Sequence, residues 1–265
     1  MTNAKGTWKT AITKVKPNEI RLRGYRIDEL LGRLSFAGGF FLLFHGRLPS
    51  PEEEKLYDAL LLSGIDHGVT PPSANAARLA ASTGAPLNAA LAAGVLSINK
   101  YHGAAIEPAM RLFREACAGF EKSGQEMDEF VDAFVADAVA QKKRLFGYGH
   151  RVHTKDPRTV RLFALAEAAG RSGNYLKLAR LIDEKLSEKT GKELPLNVDG
   201  AIAAVLCELE FPVEIGNIFF ILPRLAGMTA HYLEETTRER PMRRIDPNEA
   251  EYDGPEDREL PEGTE

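Results

Sequence analysis

The sequence has few cysteines and no long uncharged apolar run, and these absences exclude several classes of protein. Its two cysteines, Cys117 and Cys207, are too few for a disulfide framework or a cysteine-rich zinc site. Both lie in apolar helical patterns, which predicts buried free thiols. No uncharged apolar stretch reaches the roughly 18 residues of a transmembrane helix, and residues 1–6 do not resemble a signal peptide. We therefore expect a cytoplasmic protein with no membrane partner.

An excess of basic residues is also lacking. Lys and Arg number 34 and Asp and Glu number 38, so the net charge is −4. This balance provides no global positive field for a nucleic-acid partner, and an anionic ligand would need a local cluster of cations. The six histidines include no His-x-x-x-His pair, so we expect no metal site. We interpret His45 and His231 as polar surface or satisfied core residues.

The composition that is present favours an all-helical fold. The chain has 265 residues, of which 44% are hydrophobic, enough to bury a core in one large domain or two interleaved ones. Ala and Leu are abundant, whereas runs of alternating β-branched and aromatic residues are scarce. Apolar periodicity predicts helices over 73–94, 104–120, 126–142, 199–211 and 214–236. The tail 246–265 has nine acidic residues and one basic residue, which predicts an extended or disordered segment.

Three histidines stand beside glycine at breaks in the helical pattern. They are His67, His102 and His150, and Asp199 also lies at a predicted helix start. The positive end of the helix predicted to start at 104 would keep His102 neutral, and a neutral imidazole can donate a hydrogen bond to a carbonyl. Together these groups indicate an acid/base constellation.

Several motifs in this chain resemble those of the citrate synthase superfamily. Residues 146–152 read FGYGHRV and are followed by Asp-Pro-Arg at 156–158, which looks like the family signature. Further blocks occur in family order: RLRGYRIDELL at 21–31, GRLP at 46–49, DH at 66–67, SANAAR at 73–78, HGAAIE at 102–107, NVD at 197–199, PRLAGMTAH at 223–231 and RP at 240–241. One block would be a modest signal, and several in order form a strong one.

The resemblance implies an all-α fold of the citrate synthase type. It predicts a large helical domain from residues 1–102 and 198–245, with a smaller helical domain inserted at 103–197. The active site would lie in the cleft between them. It also implies a homodimer or a dimer of dimers. No metal or cofactor is implied, because coenzyme A enters as part of the substrate or product.

The family joins or cleaves a carbon–carbon bond between an acyl-CoA methyl carbon and the ketone carbon of a 2-oxo acid. By resemblance, Asp199 is the acid/base at carbon, and His102 donates to the thioester carbonyl. His150 donates to the ketone oxygen in condensation or accepts the hydroxyl proton in cleavage. The alternatives are helix caps for Asp199 and His102, and a loop histidine without a catalytic role for His150.

The polycarboxylate substrate implied by the family requires several cations. Arg158, Arg224 and Arg240 match carboxylate-binding arginines, and the planar guanidinium suits bidentate binding. Arg240 would complete the neighbouring subunit's site, and His67 would add a hydrogen bond to the 2-oxo acid. The alternative roles are surface charges for the arginines and a cap for His67.

The glycine-rich loop is the predicted coenzyme A site, because glycines permit close backbone approach and exposed N–H groups bind anions. Neighbouring cations would bind the phosphates, although each alone has the alternative of a solvated surface residue. The predicted contacts are Phe146, Gly147, Tyr148, Gly149, Lys143, Arg144, Arg151 and Lys155.

The compact length resembles citryl-CoA lyases, including the lyase module of ATP-citrate lyase, more than the longer citrate synthases. We therefore predict citryl-CoA cleavage to acetyl-CoA and oxaloacetate. The alternative is a compact citrate or 2-methylcitrate synthase, which the presence of His102 supports, since the lyase module lacks this histidine. The loop between His150 and Arg158 is also one residue shorter than in typical synthases. A non-catalytic relative that binds CoA or polycarboxylates is a third hypothesis, and a purely structural helical protein is a fourth.

Overall fold

The chain begins with a small sheet that the sequence patterns did not predict. In the computed structural model, which describes residues 8–149 and 156–260, strands β1 (Thr13–Lys16), β2 (Glu19–Leu22) and β3 (Tyr25–Arg26) pair antiparallel in that order. Thr13 lies opposite Leu22, and Leu22 also lies opposite Tyr25. The strands are too short for a period-2 signal to be distinctive.

The described residues after this sheet are mainly helical, which confirms the all-α prediction. The helices are α1 (Ile27–Leu30), α2 (Phe36–His45), α3 (Pro51–Ser63), α4 (Pro72–Ser82), α5 (Leu87–Leu96), α6 (Ile106–Ser123), α7 (Met127–Ala140), α8 (Pro157–Ala168), α9 (Asn174–Thr190), α10 (Val198–Glu208) and α11 (Ile218–Arg238). A short 3-10 helix, Val213–Ile215, precedes α11.

Helix α6 shows how the apolar pattern specifies an element. In the predicted stripe Ile106, Met110, Phe113 and Cys117 are buried and Phe120 is partly buried. The helix ends at Gly124, whose φ of +66° is in the left-handed region that glycine adopts without strain. The predicted helix over 104–120 is therefore confirmed, and the one over 126–142 corresponds to α7.

The alanine-rich segment 73–94 was predicted as one helix, and this prediction is wrong. It forms α4 and α5, separated by a turn at residues 83–86. Gly84 has φ +88°, and Pro86 disfavours helical backbone at the preceding residue. These two residues outweigh the helix propensity of the surrounding alanines. Both helices pack against α11, and of α5 only Ala90 and Gly94 are buried.

The helices form two groups. Helices α2 to α5 and α11 pack on one another, and α6 to α10 form the second group. The sequence-based division at residue 198 would assign α10 to the first group, yet α10 packs against α6, α8 and α9. We therefore propose that the smaller domain extends through α10 and ends near Leu209.

Helices α3 and α8 meet at the boundary between the two groups and run antiparallel. Arg158 near the start of α8 reaches the carbonyl oxygen of Ser63 at the end of α3, at 3.3 Å. At the opposite end, Glu53 accepts hydrogen bonds from Arg171 at 2.8 Å and from both terminal nitrogens of Arg47 at 2.7 Å. The Arg47 guanidinium is the largest of the influences that lower the pKa of Glu53, which falls to about 2.

Both cysteines are buried free thiols, as predicted. Burial raises the pKa of Cys117 to about 11 and that of Cys207 to about 12. His45 also fits its interpretation as a satisfied core residue: its Nε2 atom lies 2.5 Å from the Tyr57 hydroxyl and its ring stacks on Phe41.

One helical stretch, Val213–Arg238, is long and apolar enough to cross a membrane by length and composition, with a mean hydropathy of 1.2. It buries Arg224, His231 and Glu235, and α11 within it packs against α3, α4 and α5. This helix therefore packs one face, which includes charged side chains, against the rest of the protein. The described part of the acidic tail, residues 246–260, is exposed and has only a short 3-10 helix at Pro247–Glu249.

Candidate active site

The first turn of α10 carries Asp199. Asn197 is the N-cap, since its Oδ1 atom accepts a hydrogen bond from the Gly200 N–H at 3.1 Å. Asp199 is the second residue of the helix, so the alternative role as the N-cap is wrong. Burial raises the pKa of Asp199 to about 6, although the positive charges of Arg158 and Arg224 oppose the rise. A carboxyl group with this pKa can give or take a proton near neutral pH.

The glycine-rich loop lies directly against this helix start. A Cβ atom on Gly200 would stand 2.5 Å from the carbonyl oxygen of Gly147. Gly147 itself has φ +90°, and a Cβ there would stand 2.7 Å from the Gly200 Cα atom. Only glycine at both positions permits this approach. The structure therefore brings the predicted CoA loop next to the predicted acid/base residue.

The side chains of the predicted CoA site differ in their accessibility. Tyr148 lies in the core, where its hydroxyl donates to the Ala179 carbonyl oxygen at 2.9 Å, so this residue could contribute only its backbone. Phe146 is half-buried and carries the Arg144 guanidinium 5.3 Å from its ring centroid. Lys143 is exposed, with its Nζ atom 3.7 Å from a Glu115 carboxylate oxygen. His150, Arg151 and Lys155 lie outside the described residues.

A tight turn and a neighbouring helix hold His102. The backbone of His102 exchanges two hydrogen bonds with Asn99, at 2.7 and 2.8 Å. The ring Nε2 atom lies 2.9 Å from the Ser73 hydroxyl and 3.4 Å from the Ser73 backbone nitrogen. Since a backbone N–H can only donate, Nε2 is the acceptor in this arrangement. The proton of the neutral ring is then on Nδ1, which is the atom able to donate to a ligand.

The helix N-terminus that contacts the His102 ring is that of α4, in addition to the one expected from the helix that follows His102. Helix α6 begins only at Ile106, whereas Ser73 is the second residue of α4. Its N–H belongs to the first turn of α4 and has no partner within that helix. The sequence-based selection of site residues did not include Ser73, although its resemblance to the serine of a family block was a usable signal.

The surroundings of His102 favour the neutral form of its ring. Burial lowers the pKa of His102, and the positive charge of Arg224 and the protonated form of His67 lower it further. The edge of the ring packs against Phe220, with ring centroids 5.4 Å apart. A neutral imidazole with a fixed tautomer can act as a hydrogen-bond donor to a developing enolate oxygen.

Two of the three predicted carboxylate-binding arginines lie at the carboxyl end of α3. Arg224 is buried, donates from Nε to the Gly64 carbonyl oxygen at 3.0 Å, and stacks over Phe220 with its carbon 4.4 Å from the ring centroid. Arg158 donates to Ser63 and also to both carboxylate oxygens of Asp156, at 3.0 and 2.8 Å. Neither is a free surface charge. Asp156 was not selected from the sequence, although it belongs to the quoted Asp-Pro-Arg motif.

The third arginine, Arg240, lies apart. It is exposed and follows the carboxyl end of α11. The helix between Arg224 and Arg238 alone is about 21 Å long at 1.5 Å per residue. Within one subunit, Arg240 therefore does not lie beside Arg158, Arg224 and Asp199.

His67 is exposed and lies near enough to His102 that its protonated form lowers the pKa of that ring. The preceding residue, Asp66, is fixed by two contacts: Oδ1 lies 3.0 Å from His231 Nε2, and Oδ2 accepts from the Gly68 N–H at 2.9 Å. His231 is thus a buried residue bonded on one side, while its buried Nδ1 atom has no hydrogen-bond partner among the described residues.

In that same part of the chain, no group of three or more His, Cys, Asp or Glu side chains could hold a metal ion.

We predict that His102 is neutral at pH 7 with its proton on Nδ1. Nitrogen-15 NMR of the ring should show Nε2 as the unprotonated nitrogen and titration below the usual pKa of about 6.5. Replacing Ser73 with Ala should remove the hydroxyl contact and increase the share of the Nε2–H tautomer. A wild-type ring protonated on Nε2 at pH 7 would contradict the assignment, and Ser97→Ala, which alters a serine bonded to its own helix, is the matched control.

Known families and curated proteins include relatives of this chain. The family model described as citrate synthase, C-terminal domain, matches residues 49–245. The citrate/2-methylcitrate synthase of Bacillus subtilis (strain 168) is 32% identical over 219 residues, covering 80% of this chain and 56% of the relative. The citrate synthase of Saccharolobus solfataricus is 33% identical over 230 residues, covering 84% and 58%. The chain thus spans somewhat more than half the length of these curated relatives.

Solved structures agree with the fold. The citryl-CoA lyase from Hydrogenobacter thermophilus superposes with a TM-score of 0.87 and 43% identity, covering 96% of this chain and 97% of that one. Citrate synthase from Thermoplasma acidophilum, in a ternary complex with carboxymethyl coenzyme A and oxaloacetate, has a TM-score of 0.70 and 26% identity, covering 85% and 58%. The family motifs, the helical architecture and these matches agree: the chain belongs to the citrate synthase family.

Proposed function

We propose that the protein is a citryl-CoA lyase, which cleaves citryl-CoA to acetyl-CoA and oxaloacetate. The observation that carries this proposal is the position of the Asp199 carboxyl group. Its pKa is about 6, and the charges of both Arg158 and Arg224 act on it. A proton donor beside two carboxylate-binding cations suits the cleavage of a polycarboxylate thioester. The structural similarity to a citryl-CoA lyase over 97% of that enzyme's chain supports cleavage rather than condensation.

The proposed reaction assigns one step to each residue. His150 accepts the hydroxyl proton of citryl-CoA. The bond then breaks between the carbinol carbon and the methylene carbon that is attached to the thioester carbonyl. The carbinol oxygen becomes the ketone of oxaloacetate, and the electron pair moves to the thioester carbonyl as an enolate. His102 donates a hydrogen bond from Nδ1 to that oxygen. Protonated Asp199 then gives its proton to the methylene carbon, which yields acetyl-CoA.

The remaining predicted residues would bind the substrate. Arg158 and Arg224 would hold carboxylates, with His67 at the edge of the site. The loop 146–149 would hold the CoA portion, and Lys143, Arg144 and Lys155 would contribute charge for its phosphates. No metal or cofactor takes part in this scheme. The site lies between the two groups of helices, whose closure would exclude water from the enolate.

A compact citrate or 2-methylcitrate synthase is the second candidate. The names of the curated relatives and the presence of His102 favour it. The same groups would then act in reverse, with the Asp199 carboxylate removing the methyl proton and the thioester being hydrolysed after condensation.

We also propose a homodimer or a dimer of dimers in the cytoplasm. Helices α4, α5 and α11 pack together and expose large apolar side chains, since Leu79 is 52%, Leu96 77% and Leu233 62% accessible. A second copy covering this surface would remove it from water. The partner could supply Arg240, which one subunit does not bring to its own site.

The first prediction of this proposal concerns the reaction itself. Citryl-CoA should yield oxaloacetate, detected by coupling to malate dehydrogenase, while acetyl-CoA with oxaloacetate should release no CoA thiol. Asp199→Asn and His150→Ala should lower kcat at least about 10²-fold while CoA still binds. Glu193→Gln, which changes an exposed carboxylate near the same helix, is the control.

The outcomes separate the candidates. Rapid CoA release from acetyl-CoA and oxaloacetate would identify a synthase. If neither mixture forms product but CoA still binds, the protein acts on another substrate or is the non-catalytic relative. Full activity of Asp199→Ala would refute its assignment as the acid/base at carbon.

The second prediction is a pH dependence whose sign depends on direction. In cleavage Asp199 must be protonated, so kcat/KM should decrease about tenfold per pH unit above its pKa of about 6. In condensation Asp199 must be ionised, so kcat/KM should decrease as the pH falls below the same value. A cleavage profile that stays flat from pH 5 to 8, measured with citryl-CoA, would contradict the role of this carboxyl group.

The third prediction concerns the assembly. The wild type should sediment as a dimer or tetramer, and Leu96→Glu should shift it towards monomer because charge at a buried interface is costly. If Arg240 acts across subunits, Arg240→Ala and Asp199→Asn subunits, each inactive alone, should regain activity when mixed. A wild type that sediments as a monomer, or mixing without regain, would contradict the corresponding proposal, and Leu31→Glu on the exposed α1–α2 connection is the control.

A further inference from the structure

The segment 195–197 lies between the glycine-rich loop and the start of α10. The Gly149 N–H donates to the Pro195 carbonyl oxygen at 2.7 Å, and the Asn197 N–H donates to the Gly147 carbonyl oxygen at 2.9 Å. These two bonds form a short bridge of β type, in which Tyr148 pairs with Leu196. The loop is therefore bonded to the residues that directly precede Asp199 in the helix.

The side chain of Asn197 adds a second connection. Its Nδ2 atom donates to the Gly149 carbonyl oxygen at 2.9 Å, and its Oδ1 atom accepts from the Gly200 N–H at 3.1 Å. One amide group thus bonds the loop on one side and the first turn of α10 on the other. Serine or aspartate could cap the helix equally well, but ionised aspartate has no donor, and the serine hydroxyl is one bond shorter than the Asn197 Nδ2 atom that donates to the loop.

The connecting segment is itself fixed in place. The Leu196 N–H donates to the Asp183 carboxylate at 2.8 Å, and the Leu196 carbonyl oxygen accepts from the Thr159 hydroxyl at 3.2 Å. Leu196 is thus bonded to residues of both α8 and α9, and the Asn197 amide and the close approach of Gly147 to Gly200 are the contacts that join the loop to α10.

We propose that Asn197 is a positioning residue that couples occupation of the loop 146–149 by the CoA portion of the substrate to the placement of the Asp199 carboxyl group. This inference rests on the proposed function and deepens it. Binding of a remote part of the substrate would then increase the rate at the reacting carbon, because binding energy of non-reacting groups can be used to orient the catalytic groups.

Asn197→Ser tests the coupling because it separates the two contacts of the amide. The serine hydroxyl can still accept from the Gly200 N–H and cap α10, whereas the δ-position N–H that donates to Gly149 is removed and the shorter hydroxyl ends one bond before that position. Asn197→Thr is a second uncharged variant if the first folds poorly. Ser35→Ala is the control for a purely structural effect, since it removes the N-cap of α2 and touches none of the site residues.

The experiment compares citryl-CoA with citryl-N-acetylcysteamine, a thioester that lacks the nucleotide portion of CoA. For Asn197→Ser we expect kcat with citryl-CoA to decrease about tenfold or more, and kcat with the short thioester to change less than about threefold. Ser35→Ala should lower Tm and leave the ratio of the two kcat values unchanged. A proportional decrease with both substrates in Asn197→Ser would overturn the coupling.

Hydrogen exchange with CoA alone gives a result that does not depend on turnover. In the wild type, CoA should slow exchange at residues 146–149 and also at 198–202, and in Asn197→Ser it should slow only the former. Equal protection at 198–202 in both proteins, or none in the wild type, would overturn the coupling. A wild type that cleaves neither thioester but shows the expected exchange pattern would refute the proposed function and retain the coupling.

Discussion

The carboxyl end of α3 binds two arginine side chains, and the geometry of the candidate site depends on this contact. The last carbonyl groups of a helix have no partners within it and carry partial negative charge. Ser63 and Gly64 present such carbonyls to Arg158 and Arg224, at 3.3 and 3.0 Å. Arg158 comes from α8 and Arg224 from α11, so one helix end joins the two groups of helices and sets the separation of the cations.

These two positive charges act differently on the two titrating groups beside them. On His102, burial and the charge of Arg224 both favour the uncharged ring, so the pKa decreases. On Asp199, burial favours the uncharged acid whereas Arg158 and Arg224 favour the carboxylate, so the effects partly cancel and the pKa is about 6. The Arg224 charge therefore acts both on a ring whose neutral form is favoured and on a carboxyl group with a pKa of about 6. An acyl-CoA carbon–carbon cleavage or condensation requires this pair of states.

Local patterns predicted the elements where one signal dominated. The apolar stripe of α6 and the glycine that ends it are both visible in the sequence, and the helix forms as expected. The prediction of one helix over the alanine-rich segment failed because it gave more weight to helix propensity than to Gly84 and Pro86. These two residues interrupt the helix and separate α4 from α5. Tyr148 shows a different failure. It was predicted to contact CoA, but its side chain lies in the core and donates to Ala179, because the side to which a residue of a short bridge points cannot be inferred from a Gly-Tyr-Gly triplet.

By itself the sequence determined the helical class, through its apolar periodicity, and the family, through the order of its motif blocks. It also selected Asp199, His102, Arg158 and Arg224 as candidates. Only the tertiary structure decided which atoms these residues face. Ser73 contacts His102 from 29 positions away, and Arg224 bonds Gly64 across 160 positions. The tautomer of His102 and the pKa of Asp199 depend on these distant partners and on burial, since both are properties of the folded surroundings rather than of the neighbouring residues in the chain.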